Sequence, residues 1–340
     1  MTGAFPASWP FGAVVVTALG RAVMDIILHI GAHRSGTTSF QHYLRDSHAD
    51  LSEQSIGYWG PARTRQSVFP GLFPKPAAAR GRNLCRRAEG RVQMQVAQCL
   101  DRGVTHLLVS DENMIGSSCH SLRQRKLYPA IGERMARIGS AFGGSVSRVV
   151  LSTRAQDLWW ASAAAYTVAR GHRVPDAAAR EEIARSPRGW RDVITDLACA
   201  LPEADIRIAP FEQYAGRADA LLNTCLDIPA PAPREVRWLN RSPNLPALRR
   251  ALVERGEDPA ILPDDTGRWQ PFSAAQVAAL QEQYADDLFW LTAGADGLAT
   301  LTEDPTRKRA GISPPPGDMT RGQSHDIRPQ ERQGTLAPSG

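Results

Sequence analysis

Three short stretches of the chain carry residue types whose spacing suits chemistry. The first is GAHRSGTT at positions 31–38, with glycines at 31 and 36 and two threonines behind them. Glycines at that spacing let a backbone curl with its N–H groups turned inward. Where such a curl joins a strand to a helix, the free amides and the helix dipole attract a phosphate-type anion. Gly31, His33, Arg34, Ser35, Gly36, Thr37 and Thr38 are therefore candidate binding residues. The second stretch, VVLSTRAQDLWWAS at 149–162, sets Arg154 at a strand end and Ser162 eight residues on, about two helical turns later. A guanidinium meets a phosphate through paired charge-assisted hydrogen bonds, which suits arginine to that position. The third stretch, SDEN at 110–113, follows an apolar strand and offers two carboxylates, Asp111 and Glu112.

These stretches need elements to position them. Residues 25–30 form a β-rich run, 31–36 a turn and 37–45 a helix, and further strands are predicted at 105–110, 146–153 and 205–209. Helices are predicted at 91–102, 122–138, 156–170 (ending at Gly171), 190–200, 218–225, 246–254 and 273–291. Strands alternating with helices at this spacing predict an α/β fold, a three-layer α/β/α arrangement around a mostly parallel sheet like that of P-loop nucleotide-binding proteins. All three stretches then fall at the carboxyl edge of the sheet, where open α/β sheets bind ligands. Residues 52–90, with Pro61, Pro70, Pro74 and Pro76, read as an irregular surface insertion. Arg63, Arg65, Arg80, Arg82, Arg86 and Arg87 in it read as surface charges, or else as the lining of a cleft for an acidic glycan.

One domain is expected over 24–300. Residues 1–23 read as an N-terminal extension, with Met24 standing just before the first strand. Residues 301–340 read as a disordered tail, since no aromatic residue lies beyond 303 and prolines and glycines recur. The net charge of +5 is spread out with no run of five like charges, which excludes a nucleic-acid stripe and leaves room for a small anionic ligand. Five cysteines, odd in number and far apart, read as free thiols in a reducing, cytoplasmic setting, and their spacing offers no metal site. The apolar stretch 11–19 is too short for a membrane span, which needs about 20 residues, and no basic residue precedes it as in a signal peptide.

The loop LHIGAHRSGTTSFQ at 28–41 keeps the glycine spacing of the nucleoside-triphosphatase pattern G-x-x-x-x-G-K-[ST], but Thr37 stands where that pattern has lysine. Without that lysine a triphosphate is poorly neutralised. The same loop resembles the 5′-phosphosulfate loop of the sulfotransferases that use 3′-phosphoadenosine 5′-phosphosulfate, x-x-G-x-x-[KR]-[ST]-G-T-[ST]. The form R-x-Q-D-x-W-x-x-S at 154–162 resembles their bacterial and carbohydrate-type members. The resemblance implies that the backbone of 34–38 and the hydroxyls of Thr37 and Thr38 hold the 5′-phosphate. It further implies that Arg154 and Ser162 hold the 3′-phosphate, and that Arg34 stands where most members carry a lysine at the leaving oxygen. Asn240 and Ser242 lie where members close a loop over the nucleotide.

The implied reaction moves a sulfuryl group to a hydroxyl or amine of a carbohydrate or small molecule, needs no metal, and needs a base. Glu112 is the candidate base, with Asp111, His120 and His33 as rivals. Arg34 and Glu112 are thus the expected catalytic pair. Trp159, Trp160 and Trp190 could stack on adenine but read as core. Two other readings stay open, a P-loop kinase or nucleotide hydrolase and a non-catalytic relative.

Overall fold

The computed structural model describes residues 24–73 and 83–303. The expected extension 1–23, and the expected tail beyond 303, lie outside the described residues. The six strands are β1 (Asp25–Gly31), β2 (Ile56–Trp59), β3 (His106–Ser110), β4 (Val146–Thr153), β5 (Asp205–Pro210) and β6 (Thr300–Leu301). They form one all-parallel sheet in the order β2-β3-β1-β4-β5-β6. The chain runs from β1 to one side of the sheet and later returns to the other, so β1 lies between β3 and β4. That reversal opens a crevice at the carboxyl ends of β1, β3 and β4, the three strands that carry the candidate residues.

Helices cover both faces. The two-residue period of β1 sends Ile26, Leu28 and Ile30 into the larger core cluster and Ile27 into the smaller one. The larger cluster is built with α2 (Leu84–Asp101), α4 (Ile131–Ala141), α5 (Gln156–Val168), α6 (Trp190–Ala200) and α9 (Ala274–Thr292); the short α3 (Ser118–Gln124) packs alongside α5. The smaller is built with Phe40, Tyr43 and Leu44 of α1 (Thr37–Asp46) and Leu221, Leu222 and Cys225 of α7 (Ala218–Leu226). A third cluster joins Leu245, Leu248 and Leu252 of α8 (Leu245–Glu254), with Trp269, to Ala164, Ala165 and Val168 of α5. Among the described residues no helix is long and apolar enough to cross a membrane.

Four expectations are corrected. The described part of 52–90 is framework: it contains β2, and Trp59, Val68, Phe69 and Leu72 are buried in the larger core. Its prolines misled because Pro61 opens a short helical turn, Pro61–Arg63, where a missing N–H costs nothing. Gly57 likewise hides β2, a four-residue edge strand. Residues 74–82, with Arg80 and Arg82, lie outside the described residues. Helix α2 starts at Leu84 rather than 91, capped by the Asn83 side chain, which accepts from the Arg86 N–H. The predicted helix at 122–138 is two helices, because Arg125 and Tyr128 adopt positive φ (52° and 41°) ahead of Pro129. Finally, Leu301 belongs to β6, and the Thr302 N–H bonds to the Ile208 carbonyl at 2.8 Å, so the sheet passes the expected boundary at 300.

Candidate active site

The loop from β1 to α1 is shaped by three positive-φ residues, Gly31 (75°), Arg34 (64°) and Gly36 (79°). The Ala32 N–H bonds to the Ser152 carbonyl at 2.9 Å, tying the loop to β4. The Ala32 carbonyl accepts from the Ser35 hydroxyl at 2.6 Å and the Thr37 hydroxyl at 3.0 Å, and both side chains are buried. Ser35 and Thr37 thus use their O–H protons to hold the curl, while Thr38 faces the cleft. Gly36 is the N-cap of α1 and no side chain caps that end, so the first amides of the helix remain available to an anion.

Above the loop lies a cleft of about 430 Å³, walled by the loop, α5, residues 238–243 and residues 268–270. Arg34 crosses it. Its Nε donates to Ser162 Oγ at 3.1 Å, its Nη2 to the Asn240 carbonyl at 2.8 Å and to Ser242 Oγ at 3.1 Å, and Ser162 and Ser242 share a 2.5 Å hydrogen bond. The Tyr166 ring lies 4.7 Å from its guanidinium carbon. Arg154 donates from Nη1 to the Arg34 carbonyl at 2.6 Å and rests on the Phe211 ring, while its buried Nε has no partner. Arg241 and Arg268 line the same cleft. Burial pushes the Arg34 guanidinium down to about 10, and the like charges of Arg154 and Arg170 act in the same direction. Burial also lowers Arg154, with Arg268 adding to it. Four arginines and one carboxylate, Glu112, line the cleft; Glu212 and Asp157 offset part of the charge of Arg154, and its Nε is left as an unspent donor in the wall.

Arg34, Arg154, Ser162, Asn240 and Ser242, drawn from four separate segments, therefore meet in one place. Arg34 points at the Ser162 and Ser242 pair rather than along the loop, and Asn240 takes part through its carbonyl. The tryptophans behave as core: Trp159, Trp160 and Trp190 are buried. Two of them also aim the site, since Trp159 Nε1 donates to the His33 carbonyl and Trp190 Nε1 to the Arg154 carbonyl, both at 2.8 Å. The aromatic side chains that do line the cleft include Tyr166, Phe211, Trp238 and Trp269, none of which the sequence reading assigned to it; Phe211 read as scaffold. Trp238, half-exposed beside a proline-rich stretch, is the one whose setting in the sequence could have marked it.

The candidate bases lie at the end of β3. Asp111 is buried and fully engaged: Oδ1 accepts from the Asn113 N–H (3.0 Å) and Arg65 Nη2 (2.7 Å), and Oδ2 accepts from the Thr64 hydroxyl (2.5 Å). It caps the 3-10 turn Glu112–Ile115 and anchors Arg65, which leaves it no role at an acceptor. This counts against Asp111 as a rival base, while Arg65 keeps its place at the surface, half-exposed, as a charge that bonds to both carboxylates.

Glu112 lines the cleft, with Oε1 accepting from Arg65 Nη2 at 2.9 Å and Oε2 from Gln41 Nε2 at 3.0 Å. Burial raises its carboxyl, but Arg65, His33 and the hydrogen bonds outweigh that, and it is held below the ordinary carboxylate value. His33 is held below the ordinary imidazole value by burial, against the pull of Glu112. Both its ring nitrogens are engaged, Nδ1 with the Tyr128 hydroxyl at 3.0 Å and Nε2 with Asn113 Oδ1 at 3.1 Å. His120 sits in the first turn of α3, where its N–H donates to Ser117 Oγ, and it does not line the cleft.

No protein-family model matches the sequence, and no curated protein matches it either.

Proposed function

We propose that the chain is a sulfotransferase that moves a sulfuryl group from 3′-phosphoadenosine 5′-phosphosulfate to a hydroxyl or amine of a carbohydrate or small-molecule acceptor. One observation carries this reading. The uncapped start of α1 and a second cationic cluster, Arg34 with Arg154, Ser162 and Ser242, open into one cleft whose lining holds a single carboxylate, Glu112. Two anion sites in one cleft fit a nucleotide with phosphates at both ends. The partnerless Arg154 Nε fits an anionic group seated beside it. About 430 Å³ lies within the usual size of small-molecule sites.

In this reading the start of α1 draws off the negative charge that gathers on the departing phosphate oxygen, while Arg34, bonded to Ser162 and Ser242, serves the other phosphate. Glu112, ionised at neutral pH, accepts the acceptor's proton as the new bond to sulfur forms and the bond from sulfur to the phosphate oxygen breaks. No titration of Arg34 is needed, since its guanidinium stays charged at neutral pH. Donor and acceptor are the partners implied, and neither a metal nor a nucleic acid has a role. A reducing, cytoplasmic setting belongs to this reading, on the odd number and wide spacing of the cysteines in the sequence. The rival reading, a kinase or nucleotide hydrolase, requires a cation where Thr37 instead bonds to the Ala32 carbonyl. Incubation with sulfur-labelled donor and a panel of glycans and phenols, with wild-type chain and Glu112→Gln, tests the proposal. Labelled product from wild type, cut about a hundredfold or more in the variant, is expected. Phosphate release from ATP with no label transfer would overturn it.

A further inference from the structure

Glu112 is unusually well held for a side chain on a cleft wall. An added Cβ on Gly31 would stand 3.0 Å from its Cβ, so the end of β1 backs it closely. One carboxylate oxygen is taken by Gln41, a residue of α1, and the other by Arg65, which lies in the π-helical turn Thr64–Val68. Single π-helical turns recur at functional sites. Arg65 does not depend on Glu112 for its place, because Asp111 accepts from its Nε at 3.1 Å and from its Nη2 at 2.7 Å. Asp111 is in turn fixed by Thr64 and by the Asn113 N–H. A guanidinium that only closed the fold would be satisfied by Asp111 alone. This one reaches a further 2.9 Å bond to the carboxylate that faces the cleft.

We infer that Arg65 is the positioning residue of the proposed base: Asp111 fixes it, and it clamps the Glu112 carboxylate against Gln41 with its face to the cleft. The inference rests on the reading of Glu112 as the base. Arginine suits the task because its fork spans two carboxylates at once, which a lysine's point charge does not. The clamp also joins two sites, since Gln41 rides on the helix whose first amides form the anion cradle. A donor that shifts α1 would shift the carboxylate with it.

The charged and titratable groups facing Glu112 are Arg65 and Asp111 beside it, His33 from the loop, His29 from β1, and Tyr58 and Tyr128. Arg65 is the one hydrogen-bonded cation among these. Its removal is therefore expected to raise the carboxyl's titration midpoint, whereas a purely structural arginine would leave that midpoint alone.

The test uses the full chain with glutamate side-chain carboxyls labelled with carbon-13, and Glu112→Gln to assign the resonance. Arg65→Gln is expected to raise the Glu112 midpoint and to move the acid limb of donor breakdown, with water as acceptor, to higher pH. Its kcat should fall about tenfold, less than the roughly hundredfold loss for a missing base, with affinity for adenosine 3′,5′-bisphosphate unchanged within twofold. Arg65→Lys should restore the midpoint in part and kcat little. An unmoved midpoint in folded Arg65→Gln overturns the inference, and so does a loss of nucleotide affinity that parallels the loss of turnover. The wild-type chain supplies a second reading if the variants do not fold: the resonance of the Arg65 guanidinium nitrogen, itself always charged, must shift with the midpoint of the Glu112 carboxyl, and a different midpoint overturns the pairing. Absence of any sulfuryl transfer by wild type would sink the proposed function, while the two midpoints would still judge the clamp.

Discussion

Removing the Arg154 side chain tests the second anion site with one change. Its Nη1 bonds to the Arg34 carbonyl at 2.6 Å, and its buried Nε has no partner, so a phosphate seated beside it would gain a charge-assisted bond that is not yet made. Hydrogen bonds to charged groups contribute about 1.5–3 kcal/mol each. With a tenfold change in affinity for every 1.4 kcal/mol or so, Arg154→Ala should weaken adenosine 3′,5′-bisphosphate roughly 10- to 150-fold. The fold should suffer less. The lost contacts are one charge-assisted bond of about 1.5–3 kcal/mol and the rest on the Phe211 ring, and removing a desolvated cation offsets much of both. Arg154→Lys keeps the charge without the paired geometry and should fall between the two. Isothermal calorimetry without divalent metal, run beside urea unfolding of the same samples, separates binding from stability. Unchanged affinity in Arg154→Ala would remove the residue from the site. Losses of affinity and stability in equal measure would make it a scaffold residue, and the reasoning about the unspent donor would be wrong.

Three other perturbations follow from the same geometry. Gly31→Ala places an L-residue at φ 75°, which costs about 1–2 kcal/mol, with its Cβ 2.9 Å from Thr37 Oγ1 and 3.0 Å from Glu112 Cβ. A lowered urea midpoint together with reduced turnover is expected, and unaltered turnover would show that the loop and the carboxylate are not in register. Asp111→Ala should destabilise by about 3 kcal/mol by stripping Arg65 and Thr64 of a buried acceptor, whereas Glu112→Gln should cost less than about 1 kcal/mol; equal costs in denaturant titrations would contradict the division of labour between the two acids. The third concerns acid. Burial holds His29 down to about 4, against the pull of Glu112, so the folded chain keeps it neutral where an unfolded one would protonate. Its contribution is complete above about pH 6.5 and is lost as the pH falls towards 4, amounting to about 3 kcal/mol below both values. In His29→Gln the slope of stability against pH between 6.5 and 4 should flatten relative to wild type, and an unchanged slope would refute the assignment.

The sheet was legible in the sequence where its central strands carry short apolar runs, at 26–28, 107–109 and 149–151, and where β5 alternates apolar with polar residues over 205–209. The edges were not legible: β2 is four residues with a glycine inside, and β6 is two residues long. Most of the anion cleft was visible as well, since Arg34, Arg154, Ser162 and Ser242 sit in short motifs at the ends of β-α steps or in a loop. What local pattern could not supply was the pairing across distance. Arg65 meets Glu112 over 47 residues and Trp159 meets the His33 carbonyl over 126, and no period in the sequence encodes either contact. Prolines at 61 and 70 also masked the π-helical turn that delivers Arg65, because proline at a helix start and proline in a loop look alike without coordinates. Asp111 and Glu112 are neighbours of the same chemical type. Only burial and partners tell the anchor from the acid that faces the cleft.

The most direct measurement is the ranking of nucleotides by calorimetry against the full chain, with adenosine 3′,5′-bisphosphate in the absence of divalent metal compared with ATP and Mg²⁺. The cleft described above should bind the bisphosphate in the micromolar range or tighter and ATP with Mg²⁺ at least about tenfold more weakly, each tenfold being roughly 1.4 kcal/mol. Tighter binding of ATP with Mg²⁺, or no heat from the bisphosphate, would contradict a donor site built from the start of α1 and Arg154.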